Sequence, residues 1–435
     1  MSEKEKVTVG EEGIYDARKL GIPKMLLLGF QHMFAMFGAT VLVPLLTGLD
    51  VATTLLMAGL GTLFFHLVTK FKVPAFLGSS FAFLGGYAAV APMADGVPNK
   101  EMLPYACLGV AAAGLVYLVL ALLIKLVGVA KVMRFFPPVV TGPIIIAIGL
   151  GLSGSAVNNC ATNWPLALIA LAIVIVFNIW GKGMLKIVPI LLGVVGSYFV
   201  AIIVGNICGV EAWAIDFTAV KEAAWIGFPI HKEATILGID WTKASLIISS
   251  VVGIVPIALA TMMEHIGDIS AIGATVGKNF IKDPGLHRTL IGDGVATTLA
   301  SLFGGPANTT YGENTGVLAL SRVYDTKVIR IAAVIAALLS FSPKFSALIS
   351  SIPTAVIGGI SFVLYGMISA IGVRNVVESK VDFTKSRNLI VAAIILVCAL
   401  GLGTAATFKI GGITIALSAL AVGSIMGILL NAILP

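Results

Sequence analysis

Charge is what this chain has least of. Asp, Glu, Lys and Arg make up 11% of its 435 residues, against 58% hydrophobic residues and a mean hydropathy of +1.04. A soluble domain carries roughly a quarter of its residues charged, so a surface that faces water throughout is excluded and a polytopic membrane protein remains. Cysteine is scarce as well. Cys107, Cys160, Cys208 and Cys398 lie far apart with no ligand spacing, which excludes a zinc site and a disulfide framework, and no cofactor is implied. A secretory signal is also missing: residues 1–23 form a charged, polar leader, and the apolar run that follows is too long for a signal core and has no small-residue cleavage site after it. The net charge is +7, but the cations cluster in short loops between apolar runs, where they set topology. No nucleic-acid partner follows from them.

What is present is a succession of apolar runs near the ~20 residues that cross a bilayer. They lie at about 24–46, 51–69, 73–92, 103–124, 137–153, 164–181, 185–206, 246–272, 287–304, 306–321, 327–349, 353–371, 388–405 and 412–433, numbered here as spans 1 to 14. The longest connection, 207–243, mixes Trp, Pro and both charge signs and reads as an external or interfacial segment dividing the chain near its midpoint. If the N-terminus is cytoplasmic, most of the 28 Lys and Arg residues fall on that same side. This bias predicts a multi-pass protein of the cell membrane with both termini in the cytoplasm.

Span 10 breaks the pattern. Gly304-Gly305-Pro306-Ala307-Asn308-Thr309-Thr310-Tyr311 cannot be a lipid-facing helix, because its Pro, Gly and Asn-Thr-Thr run exposes backbone groups. Such backbone survives at membrane depth only when buried in protein or lining a polar cavity. Helical pattern resumes at Gly312, with Glu313 in the first turn. Span 3 holds a similar segment, Pro74-Ala75-Phe76-Leu77-Gly78-Ser79-Ser80-Phe81, and proline-led segments open span 5 at Pro137 and span 12 at Pro353. Each pair is seven spans apart. An odd separation turns one half upside down relative to the other, so the broken elements of spans 3 and 10 would meet near the bilayer midplane, where transporters build their substrate sites.

The acids in or beside the spans are Glu264, Asp268 and Glu313, with no Lys or Arg in the same runs. Glu264 and Asp268 are four residues apart, on one helix face. An intramembrane carboxylate is costly and marks function by default, but each has a plain structural alternative. Thr310-x-x-Glu313 also fits a capping box, and Asp268 also fits the interface. The buried Gln31-His32 pair in span 1 reads first as a helix-packing hydrogen bond. Carboxylates accept N–H donors, while backbone N–H groups at helix starts donate to carbonyl oxygens. A flat heterocycle with alternating N–H and C=O groups satisfies both, and Phe81 and Tyr311 stand at the break points as apolar faces or plain packing.

Gln31-His32, Leu77 to Phe83, Glu264-His265-Ile266-Gly267-Asp268, Asn308 to Asn314 and the following Gly316 to Arg322 resemble the nucleobase-ascorbate transporter family, and within it the uracil-permease branch. The resemblance covers nearly the whole chain. Around Glu313 the family pattern reads Gln or Glu, Asn, any residue, Gly, and after four residues Thr; this chain has Glu313, Asn314, Gly316 and, in place of Thr, Ser321. The resemblance implies an all-α membrane protein of about fourteen spans, a seven-plus-seven inverted repeat with short strands in spans 3 and 10. Its core domain would comprise residues 24–125 and 244–349, and its gate domain 126–206 and 350–435, with 1–23 as leader and 207–243 as external connection. It also implies that Glu264 and Glu313 bind the ring, that Phe81 and Gly312 offer backbone N–H groups, and that Ala39 and Tyr311 line the pocket with Tyr365 on the gate side. Ser80, at the same break as Phe81, is expected to donate its N–H to the ligand.

These features predict a secondary active importer of a nucleobase, uracil first, by proton symport with alternating access, and not an enzyme. Glu264, in an apolar span where desolvation favours the neutral form, is the expected proton carrier, with Asp268 or His265 as relay. No oxygen cage for sodium is evident, and no metal site is expected. The partners are the base, the proton, the bilayer and a second copy through the gate domain. The uracil branch often carries His where this chain has Asp268, whereas purine members often carry Asp, so a purine or xanthine carrier is the alternative. Sodium coupling is a lesser one. Anion transporters of the same fold match less well, since pocket carboxylates repel anions and no C-terminal domain is expected after Pro435. An intramembrane aspartyl protease is the alternative from another class; Asp268 and Asp293 follow Gly267 and Gly292 but lack the Gly-x-Gly-Asp pattern.

Overall fold

The computed structural model describes residues 9–93, 97–402, 405–410 and 413–435, and each of the fourteen runs contains helix. Among the described residues, seven helices are long and apolar enough to cross a membrane: Ile22–Thr47, Val51–Val68, Leu103–Val127, Pro138–Ala161, Pro189–Ile207, Ala244–Val276 and Thr354–Glu378. Their outer faces are apolar and exposed, as at Leu67, Leu126, Ile203 and Val377, which suits a lipid surround. Asp50 starts span 2 by accepting from the Thr53 N–H (2.7 Å), and Asp325 starts span 11 by accepting from the Lys327 N–H (2.9 Å). Such caps satisfy donors that the first helical turn leaves free.

Several spans, one of these seven among them, are broken or short, and each break has a sequence cause. In span 8, Pro256 interrupts Ala244–Ile254 before Ala258–Val276 begins. Span 11, expected as one helix, is Thr326–Leu339 followed by Pro343–Ser350 at 91°, with Ser342 capping the second piece through the Phe345 N–H (3.3 Å). Span 14 needs a larger correction. Its first part, Ile413–Ser418, is a strand paired antiparallel with Ala405–Ile410, and its helix runs only from Ala419 to Ile433. Ile413-Thr414-Ile415 is β-branched throughout, which weakens helix and favours strand; the apolarity of the run concealed this. The connection 207–243 holds only short helical turns and folds back on the spans, with the Gly227 N–H donating to Phe341 O (2.9 Å) and the Lys344 N–H to Ala224 O (3.0 Å).

Two groups of helices emerge. Spans 1, 2, 4, 9 and 11 pack on one another, as do spans 5, 6, 7, 12, 13 and 14. Small residues let backbones touch: a Cβ added at Gly114 of span 4 would lie 2.7 Å from Gly294 O of span 9, and one at Gly294 would lie 2.7 Å from Gly114 O.

The breaks in spans 3 and 10 meet. β1 (Leu77–Ser79) pairs antiparallel with β2 (Asn308–Thr310), Leu77 opposite Thr310 and Ser79 opposite Asn308. The Ser80 N–H extends the ladder to Ala307 O (2.9 Å) and the Tyr311 N–H to Phe76 O (3.0 Å). Both strands are buried, so each satisfies the other's backbone where no water does. Equivalent threonines brace them: Thr62 of span 2 accepts from the Leu77 N–H (2.9 Å), and Thr297 of span 9 donates to Asn308 O (2.9 Å). Spans 2 and 9 are seven apart, so the brace follows the inverted repeat.

Candidate functional site

Each strand hands the chain to a helix. After β2 the helix Gly312–Ser321 starts at once, with Tyr311 as N-cap and no side-chain cap. Thr310 is therefore no capping residue. Its hydroxyl donates instead to Asp268 Oδ2 (2.9 Å), and Glu313 takes part in no side-chain hydrogen bond among the described residues. After β1 a turn intervenes, the Leu84 N–H donating to Phe81 O (3.1 Å), and the helix begins only at Leu84. One expectation is corrected here. The Ser80 N–H belongs to the β ladder and is not free for a ligand; what Ser80 leaves unpartnered is its buried hydroxyl. Phe81 has no backbone acceptor for its N–H among the described residues, and the Gly312 N–H is a first-turn donor.

The three carboxylates converge on this junction. In the helix Ala258–Val276, Met262, His265, Ile269 and Ile272 are buried, while Glu264, Gly267, Asp268, Ala271 and Ala274 form a half-buried or exposed face at helical spacing. In Gly312–Ser321 the buried face is Asn314, Val317 and Leu318, and Gly312, Glu313 and Gly316 face the open side. Open space lies beside this surface, since a Cβ added at Gly267, Gly312 or Gly316 would meet nothing within 4 Å. Glu264 Oε2 is buried and unpartnered. No Lys or Arg lies within ion-pair distance of Glu264, Asp268 or Glu313 among the described residues.

Neighbours hold the frame rigid. Tyr311 Oη donates to Ser79 O (2.8 Å), and Ser79 Oγ donates to Thr40 O of span 1 (2.7 Å), next to the fully buried Ala39. Gly78 makes room for this, since a Cβ there would lie 2.4 Å from the Tyr311 ring. Asn314 Nδ2 donates to His32 O (3.0 Å), so His32 fastens span 10 to span 1 as the packing reading expected. From the other helix group, Tyr365 of span 12 meets Phe81 edge to face, ring centroids 6.2 Å apart, and its buried hydroxyl has no partner among the described residues. A cavity of about 610 Å3 opens beside this pair; Phe81 and Tyr365 line it, Glu264 and Glu313 do not.

One member of the site escaped sequence reasoning as a functional residue. Asp293 of span 9 is completely buried, with Oδ2 at 2.7 Å from Nδ1 of the equally buried His265. The signal was there, an acid inside an apolar run, but Asp293 had been weighed only as half of a protease pair. Its neighbour is a histidine, not a second aspartate.

Comparison with known proteins agrees with this architecture. The transmembrane domain of the cyanobacterial bicarbonate transporter BicA superposes with a TM-score of 0.63 at 16% identity, covering 90% of this chain and 98% of that one. SLC26A9 does so with a TM-score of 0.66 at 14% identity, covering 96% of this chain and 66% of that one. Identities this low speak for the fold alone, the seven-plus-seven inverted repeat. In sequence, the chain is 44% identical to the uracil permease of Bacillus caldolyticus, over 94% of this chain and 91% of that protein. It is 43% identical to the uracil permease of Bacillus subtilis, over 93% and 91%, and 39% identical to the putative pyrimidine permease RutG of Escherichia coli, over 99% and 94%. Residues 23–410 match the Permease family (Xan_ur_permease). The chain therefore belongs to this family of membrane permeases, the one to which its nucleobase-transporter motifs pointed, and its work is transport and not catalysis.

Proposed function

We propose that the protein imports a nucleobase, uracil by preference, by proton symport with alternating access between a core of spans 1–4 and 8–11 and a gate of spans 5–7 and 12–14. The observation that carries this reading is Glu264 and Glu313, with no Lys or Arg within ion-pair distance among the described residues, on the two helices that meet at the strand pair, where the Gly312 N–H is a first-turn donor and the Phe81 N–H has no backbone acceptor among the described residues. The carboxylates accept from the ring N–H groups, and the two backbone donors serve the ring carbonyls. Ala39 and Tyr311 close the pocket by packing. The relatives named uracil permease support the substrate. Asp268, held by Thr310, is the position at which this chain departs from the uracil branch and carries the residue common among purine members. The exposed faces of spans 8 and 10 leave the carboxylates open on one side, and Phe81 against Tyr365 supplies the contact between core and gate on the other.

A neutral base brings no charge, so accumulation needs a coupled ion, and Glu264 is the group placed to carry a proton with the substrate, with His265 or Asp268 as relay. Radiolabelled uracil uptake into proteoliposomes, with other bases competing, tests substrate and coupling together. Uptake is expected to follow an inward proton gradient and to collapse with an uncoupler. Uptake that ignores pH and follows sodium would overturn the coupling, and preferential competition by xanthine would overturn the pyrimidine assignment.

Phe81 offers a separate check on the pocket. Phe81→Ala keeps the backbone donor and removes the ring, so uracil binding is expected to weaken by about 0.5 to 1.5 kcal/mol for the lost aromatic contact, with the thermal midpoint of the unliganded protein little changed. Unaltered binding by calorimetry would reduce Phe81 to a packing residue.

A further inference from the structure

Two contiguous cavities lie away from this site, at one end of spans 5, 12, 13 and 14. The first, about 980 Å3, is lined by five cationic side chains: Lys131, Arg134, Lys380, Lys385 and Arg387. Arg387 is part of the wall, its guanidinium donating to Asn431 O (2.7 Å), Asn431 Oδ1 (3.0 Å) and Leu434 O (3.2 Å). The other four have no carboxylate within ion-pair distance among the described residues. Among the described residues, the only side-chain carboxylate lining the cleft is Asp382, whose Oδ1 already accepts from the Thr384 N–H (3.0 Å) and hydroxyl (2.6 Å). Cations gathered this way repel one another until an anion enters.

The second cavity, about 630 Å3, is apolar and runs along the outside of the helices between Ile146 of span 5, Val373 and Val377 of span 12, and Ala393 and Leu396 of span 13. It shares Lys380 and Val381 with the first. Lys380 adopts φ +51, a left-handed conformation uncommon outside glycine, at the turn where the two cavities join. From Val381 to Val373 the groove extends roughly 12 Å along the helix axis. A free phosphate would use the cleft and leave the groove empty. A second copy of the chain would fill the groove but has to cover the four cations. A charged cleft continuous with an apolar groove suits an amphiphile whose head is anionic and whose tail lies flat on the protein.

We propose that this is a binding site for an anionic phospholipid, its phosphate among Lys131, Arg134, Lys380 and Lys385 and one acyl chain in the groove between spans 5, 12 and 13. Basic pockets of this kind between membrane helices hold lipid headgroups.

The test uses the full-length protein in detergent and native mass spectrometry, with dioleoyl phosphatidylglycerol, dioleoyl phosphatidylcholine and inorganic phosphate as separate probes. Each basic residue near a surface favours anionic lipid about fivefold, so the wild type is expected to retain phosphatidylglycerol over phosphatidylcholine by roughly a hundredfold or more. The triple variant K131A/R134A/K385A should lose that preference. Ala393→Phe, which fills the groove, should weaken retention of both lipids and leave phosphate binding unchanged; uracil binding by either variant reports that it is folded. Equal retention of the two lipids by the wild type, or phosphate displacing phosphatidylglycerol at equal concentration, would overturn the lipid assignment. So would a dimer, stable without lipid, that the Ala393→Phe variant dissociates, since the groove would then belong to a second copy.

Discussion

Glu264→Gln and Glu313→Gln are each expected to weaken uracil binding roughly ten- to a hundredfold, the loss of one charge-assisted hydrogen bond of about 1.5 to 3 kcal/mol. An amide turns part of an acceptor-only surface into a donor, where the ligand also presents N–H. The two variants should part company in transport. Glu313→Gln is expected to keep concentrative uptake at raised uracil concentration, because it is a binding group alone. Glu264→Gln is expected to lose it at any concentration while still exchanging bound for free base, because an amide cannot load and release the coupled proton. Equilibrium binding, counterflow and gradient-driven uptake on the same preparations separate these outcomes. Normal binding by both variants would remove the clamp, and proton-driven accumulation by Glu264→Gln would move the coupling to Asp268 or to the His265 and Asp293 pair.

The second large effect is expected at His265. Its Nδ1 lies 2.7 Å from Asp293 Oδ2, and both side chains are fully buried. Removing one partner strands the other as a buried, unsatisfied polar group, at a cost of about 1 to 3 kcal/mol. His265→Ala should therefore lower the thermal midpoint sharply. Asp293→Asn in the same background should recover much of the loss, because the stranded carboxylate is gone. A double-mutant cycle on thermal stability reads this coupling directly. If the two substitutions simply add, the close approach contributes nothing and His265 is free to serve as a relay. If the cycle shows coupling and the single variants also lose proton-driven uptake, the pair joins structure and coupling.

Much of the site was legible before the fold was known. Glu264, Asp268 and Glu313 stand out because an acid in an apolar span is expensive, and the segments at Leu77 and Asn308 stand out because their residues refuse helix. The partners of these residues were not legible. Thr310 looked like a cap for Glu313, and it is three residues away in sequence, but its hydroxyl goes to Asp268 across the fold. Ser80 looked like a ligand donor until β1 and β2 claimed its N–H. His265 was read as a relay and Asp293 as half of a protease motif; nothing local shows that they touch.

By itself the sequence determined the membrane class, the fourteen apolar runs, the two strand-to-helix breaks and the identity of the acids. These follow from composition and from periodicity within a window of one span, where transfer free energy and backbone propensity act residue by residue. Only the tertiary structure decided the register of Leu77 against Thr310, the 91° bend of span 11, the strand pairing at the start of span 14 and the approach of His265 to Asp293. Each of these is a choice of partner or direction among groups with equal local claims. Inside a membrane that choice is made by satisfying every buried polar group at once, a condition on the whole chain that no single stretch of sequence carries.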